Sequence, residues 1–150
     1  MQKTKRLILK GGLALLAIAA LPRTLFAGPW PKDTFAAKTA TDALRSLYGV
    51  DTTTPTDKID LKAPEIAENG AVVPISIQTS LKNVESISVV VKNNPRPLAA
   101  NFEIPPGTLP KIASRIKMGE TSEVMAVVKT GDGVYSTSKE VKVTIGGCGG

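Results

Sequence analysis

Two hydrophobic periods divide the chain. Between Phe35 and Tyr48 the apolar residues Phe35, Ala36, Ala40, Ala43, Leu44, Leu47 and Tyr48 recur at steps of three and four, with Lys38, Thr41, Asp42 and Arg45 between them. That spacing predicts one amphipathic helix of about four turns, with Asp33 as its N-terminal cap and Gly49 as its C-terminal glycine. Before it, Gly28-Pro29-Trp30-Pro31-Lys32 is a non-helical lead-in. A stripe of this kind is ordinary core and carries no functional assignment.

From residue 58 the period shortens. Runs rich in β-branched residues alternate with Pro, Gly and Asn, and they predict strands at 59–63, 72–79, 86–91, 98–104, 113–118, 123–129 and 134–145. The alternation is clearest in the last run, where Val141, Val143 and Ile145 share one face and Glu140, Lys142 and Thr144 the other. Thr130-Gly131-Asp132-Gly133 reads as a hairpin turn whose glycines can take positive φ. Ala63-Pro64-Glu65-Ile66-Ala67-Glu68-Asn69-Gly70 and Asn93-Asn94-Pro95-Arg96-Pro97 read as connections, with turn geometry favoured over a partner-binding motif. The expected fold is mainly β: an immunoglobulin-like antiparallel β-sandwich with an N-terminal helix and a flexible Gly-rich C-terminal arm. Such a fold says little about activity.

Residues 1–27 have the layout of an export signal, with a basic start, the apolar run Gly11–Leu21, Pro22 and a short segment ending near Ala27. The apolar run is about a dozen residues against the roughly 20 that span a bilayer. Thr4-Lys5-Arg6-Leu7-Ile8-Leu9-Lys10 is a Lys-Arg variant of the twin-arginine pattern, so export by that route or by the general secretory one is expected. The expected organisation is a signal at 1–27, a helix plus sandwich at 28–145 and an arm at 146–150, with the mature protein in a bacterial periplasm.

The charges support that division. Lys3, Lys5, Arg6, Lys10 and Arg23 all precede Gly28, so the formal net charge of +6 falls to 14 basic against 13 acidic residues in the remainder. Such a balance is no footprint for nucleic acid, and the six aromatic residues form no stacking platform. With no His, triads built on imidazole and His-ligated metals or haem are excluded. A single Cys excludes internal disulfides and cysteine-held clusters.

That cysteine stands in Ile145-Gly146-Gly147-Cys148-Gly149-Gly150. No core can form around such a segment, and glycine loses most freedom on ordering, so the tail is expected to be mobile. Three residues beyond Ile145, at roughly 3.5 Å each, place the sulfur about 10 Å off the sandwich. Glycines on both sides keep the arm narrow enough to enter a channel in another protein. An exposed thiol has a reference pKa of about 8.5, and neither a base nor a helix N-terminus is evident nearby to lower it. Activation must come from the protein that receives the arm, which suits a covalent carrier better than a self-sufficient enzyme. Two bland readings compete: an incidental buried cysteine, which the glycines oppose, and an intermolecular disulfide through Cys148, which could coexist with a carrier role.

The tail, Ala63–Gly70, the Asn94-Pro95-Arg96-Pro97-Leu98 loop and Val141-Lys142-Val143-Thr144-Ile145 together resemble the SoxY family, sulfur carriers of the bacterial thiosulfate-oxidising (Sox) system. The resemblance covers about residue 33 to the end, and Gly146-Gly147-Cys148-Gly149-Gly150 is its hallmark. It implies a periplasmic heterodimer with SoxZ. It also implies that Cys148 is the covalent attachment point, joined to thiosulfate as an S-thiosulfonate by the haem enzyme SoxXA. The hydrolase SoxB would then trim this to a persulfide, which the molybdenum-haem dehydrogenase SoxCD, where present, would oxidise further. The chain itself is expected to need no cofactor or metal and to catalyse nothing. Two other classes remain as alternatives. Gly149-Gly150 also resembles the end of ubiquitin-like sulfur carriers, activated as thiocarboxylates, and a structural periplasmic sandwich with an incidental tail would make Cys148→Ser silent.

Overall fold

The structure, a computed structural model, describes residues 32–144. The expected signal at 1–27 and arm at 146–150 lie outside the described residues. Two short helices come first, α1 (Lys32–Ala36) and α2 (Ala40–Tyr48). Nine strands follow: β1 (Thr54–Pro55), β2 (Ile59–Lys62), β3 (Ile66–Ala67), β4 (Val73–Thr79), β5 (Val84–Val91), β6 (Leu98–Glu103), β7 (Lys111–Ile116), β8 (Ser122–Thr130) and β9 (Gly133–Val143). One sheet runs β1-β9-β8-β5-β6, with β3 also on β9, and the other runs β2-β4-β7. This is the expected two-sheet sandwich, and all seven predicted strands are present, each bounded within about two residues where it is described.

The main core fills the space between the sheets. Val73, Ile75 and Ile77 of β4 and Ile116 of β7 face Ile87, Val89 and Val91 of β5 and Val124, Ala126 and Val128 of β8, with Val141 of β9 beside them. A second core lies on the outer face of the larger sheet, where Val90, Leu98, Met125 and Val127 pack against Ala43 and Leu44 of α2. β5 and β8 are therefore covered on both faces, which is why their sequences read as nearly continuous apolar runs. Two polar residues on the helix-facing side of β5, Ser86 and Ser88, are buried without penalty because the Tyr48 hydroxyl bonds both, and Ser88 donates to Asn101 Oδ1 at 2.7 Å. Burial raises the Tyr48 pKa above 10.0, and the two serine hydrogen bonds offset part of that rise.

The single four-turn helix is a correction. The chain breaks at Thr39, whose backbone is extended (φ −125°, ψ 154°) and whose hydroxyl accepts the Asp42 N–H at 3.0 Å, so that a new helix starts at Ala40. A threonine offering this local bond competes with helix continuation. Asp33 accordingly sits inside the first turn of α1. A bond of 2.6 Å between the Thr34 and Ser46 hydroxyls ties the two helices together. Gly49 does end α2 as expected, in the left-handed conformation at φ 70°, with its N–H on Arg45 O.

Two further differences concern the backbone. The β8–β9 hairpin turns where expected, but neither Gly131 nor Gly133 is left-handed. The Thr130 hydroxyl organises the turn instead, accepting from Asp132 N and Gly133 N, both at 3.2 Å. The sheets are also not wholly antiparallel, because β1 and β3 each pair with β9 in parallel. β3 lies inside Ala63–Gly70, which the sequence offered only as a connection.

Candidate functional site at the root of the C-terminal arm

Cys148, Gly146, Gly147, Gly149 and Gly150 lie outside the described residues, so the site is built from the strand that leads to them. β9 outruns its partner: the last β8–β9 pair is Ser122 with Val141, yet β9 continues to Val143. Successive backbone N–H groups in a strand point to opposite sides, and here each finds a partner. Lys142 donates to Glu65 O at 2.9 Å and Thr144 to Ala67 O at 3.1 Å, both on the segment that carries β3. Between them Val143 donates the other way, to the Thr121 hydroxyl at 3.0 Å.

Both sides of this clamp are themselves held. On one side, Asn93 donates from Nδ2 to Thr121 O at 2.9 Å and from its backbone to the Ser122 hydroxyl at 3.0 Å. Asn94 brackets the next turn, its Nδ2 donating to Lys117 O at 2.8 Å and its Oδ1 accepting from Gly119 N at 3.0 Å. Lys92 and Glu123 meet at 2.6 Å across β5 and β8. The bond from Lys92, then that from Ser138, lowers the Glu123 pKa; for so exposed a pair the contribution to stability is about 1 kcal/mol or less. On the other side, Ala67 is buried in the main core, Gly70 O accepts from Met118 N at 2.7 Å, and Asn69 Oδ1 accepts from Ala71 N at 2.9 Å. Lys139 Nζ adds a bond of 2.8 Å to Ala63 O.

The consequence is geometric. Every backbone donor from Lys142 to Thr144 is bonded, so the fixed body of the protein extends to Thr144. Four residues then separate Thr144 from Cys148, a reach of about 14 Å at full extension. The alternation read from Glu140 to Thr144 is observed, with Val141 and Val143 packed on the core and Glu140, Lys142 and Thr144 exposed. What escaped the sequence reading is the clamp, because neither a two-residue parallel strand nor a single threonine hydroxyl leaves a periodic signal. Its nearest hints were Ala63–Gly70 and Asn93–Pro97, both of which border the root.

A two-sheet sandwich whose last strand is clamped on both sides and leads into a glycine-flanked cysteine defines a class: a compact domain that presents one thiol on a short tether. Residues 44–148 match the family model of the sulfur oxidation protein SoxY, well over half the chain and inclusive of the cysteine. The solved sulfur carrier protein SoxY from Chlorobium limicola f thiosulfatophilum is similar at 38% identity and TM-score 0.63, over 69% of this chain and 94% of that one. The chain belongs to the SoxY family, and its role is that of a carrier in sulfur oxidation. An engineered protein of known structure aligns at 15% identity and TM-score 0.40 over 58% of this chain and 20% of its own. No curated protein matches the chain.

Proposed function

We propose that this chain carries the intermediates of thiosulfate oxidation covalently on Cys148. In the loading step the thiol and thiosulfate lose one proton and two electrons as the sulfur–sulfur bond forms, giving a cysteine S-thiosulfonate, and a haem enzyme such as SoxXA accepts the electrons. Water then cleaves the terminal sulfur–sulfur bond at a hydrolase such as SoxB, releasing sulfate and two protons and leaving the persulfide on Cys148. SoxCD, where present, takes the persulfide sulfur further. The protein works in the periplasm as a heterodimer with SoxZ, after removal of residues 1–27, and leaves redox and hydrolytic chemistry to these enzymes.

The observation that carries this reading is the SoxY match running through Cys148, joined to a strand fixed as far as Thr144. A clamped root and a bare Gly-Gly spacer place a thiol within a bounded distance of the body while adding no side chain that would obstruct entry to a pocket. The sandwich also opposes the ubiquitin-like alternative. Deleting Gly149 and Gly150 while keeping Cys148 separates the two chemistries. Retention of sulfur adducts on Cys148 in the shortened chain is expected, and their loss, with a thiocarboxylate on the terminus of the full-length chain, would overturn the proposal.

A further inference from the structure

Among the described residues three large hydrophobic side chains are strongly exposed: Ile66 at 58%, Val72 at 52% and Leu109 at 67%. Leu109 lies between β6 and β7, at the end of the sandwich away from the arm. Ile66 and Val72 belong to the segment that straps the arm's root, Ile66 standing opposite Lys142 in the β3–β9 register. Neither is needed to fill the core. In β3 it is Ala67 that turns inward and is buried, while alternation sends Ile66 outward. The strap itself is held by backbone bonds, which any residue at position 66 could make. Two exposed apolar side chains beside the one fixed end of a thiol arm are unexplained by folding.

We propose that Ile66 and Val72 form the surface on which enzymes that act on the arm dock, seated against an apolar rim around the mouth of the receiving pocket. This rests on the carrier reading above. The argument for the occupant is the length of the tether. With about 14 Å at most between Thr144 and Cys148, a pocket that takes in the cysteine must bring its mouth close to Thr144. Ile66 is two residues back along β9 and one strand across, which places it about 8 Å from Thr144 from ordinary strand spacings. Even a transient protein contact covers about 600 Å² on each side, a disc of about 14 Å radius. A footprint of that size centred on the root therefore includes Ile66, and it excludes Leu109 at the far end. The tether is too short for the enzyme to work on Cys148 without touching the strap.

The test compares wild type, an Ile66→Asp/Val72→Asp double variant and Leu109→Asp, each purified from periplasm of thiosulfate-oxidising cells lacking the native chain. Increasing amounts are added, with thiosulfate, to periplasmic extract of those cells, and the rate of adduct formation on Cys148 is followed by mass spectrometry. The expected result for the double variant is an apparent KM raised at least about tenfold with kcat largely kept, and Leu109→Asp indistinguishable from wild type. Unchanged reactivity of Cys148 toward a small thiol reagent, and an unchanged melting transition, would show that arm and fold are intact. Loading of the double variant with the wild-type concentration dependence, or an equal defect in Leu109→Asp, would overturn the docking surface and leave the carrier reading standing. Failure of wild type itself to acquire adducts would contradict the carrier reading and the docking surface with it.

Discussion

Replacing Thr121 by Val removes one hydroxyl and nearly nothing else, and it isolates one half of the clamp on the arm. In the wild type that hydroxyl accepts the Val143 N–H at 3.0 Å. The lost bond is worth about 1 kcal/mol net, which multiplies the local opening equilibrium of Val143 by about five. Thr121 is exposed and Val143 only half-buried, so the loss acts as local opening and leaves global stability nearly unchanged. Native-state hydrogen exchange reads this directly: the Val143 amide should lose about fivefold protection in Thr121→Val and regain it in Thr121→Ser. The Lys142 and Thr144 amides, which bond Glu65 and Ala67 on the strap, should change less. Unchanged protection of Val143 in Thr121→Val, or equal loss in Thr121→Ser, would refute the clamp as described.

Other consequences follow from the same structure. Gly147→Trp or Gly149→Trp should impair turnover by the enzymes that receive the arm without moving the melting temperature, and normal turnover would contradict the narrow-arm account. Tyr48→Phe should cost about 1 kcal/mol by removing the hydroxyl that bonds Ser86 and Ser88. Because burial holds the Tyr48 pKa above 10.0 in the folded state, the unfolded chain ionises first. The stabilisation is present below that pH and lost as pH rises through the folded value, so denaturation profiles should show a shallower alkaline decline in Tyr48→Phe than in wild type. Ile77→Ala, at a fully buried position between the sheets, should cost about 2–5 kcal/mol in urea unfolding.

The parts of the fold legible in the sequence were those with a long period. β4, β5, β8 and β9 announced themselves through apolar runs or alternation, and Gly49 marked the end of α2 because few other residues take φ 70° without strain. What was hidden depends on single polar side chains or on contacts distant in sequence. Thr39 interrupts a helical stripe that is otherwise continuous, and its capping bond is invisible to periodicity. β1 and β3 are two residues long and exist only because β9 is there to pair with them. The covering of β5 on both faces could have been suspected from Val89-Val90-Val91, but the partners of Ser86 and Ser88 could not. At the candidate site the reactive group was plain from Gly-Gly-Cys-Gly-Gly alone. The mount for the arm, made by Thr121, Asn93 and the Glu65–Ala67 strap, required the fold.

The central claim is that Cys148 holds sulfur intermediates during thiosulfate oxidation, and mass spectrometry tests it most directly. The protein is purified without reductant from the periplasm of cells oxidising thiosulfate, and its intact mass and C-terminal peptide are measured. The account predicts sulfur-containing adducts on Cys148 that disappear on reduction, on a chain whose N-terminus has lost about residues 1–27. An unmodified Cys148 throughout active turnover, with Cys148→Ser cells still oxidising thiosulfate, would contradict it.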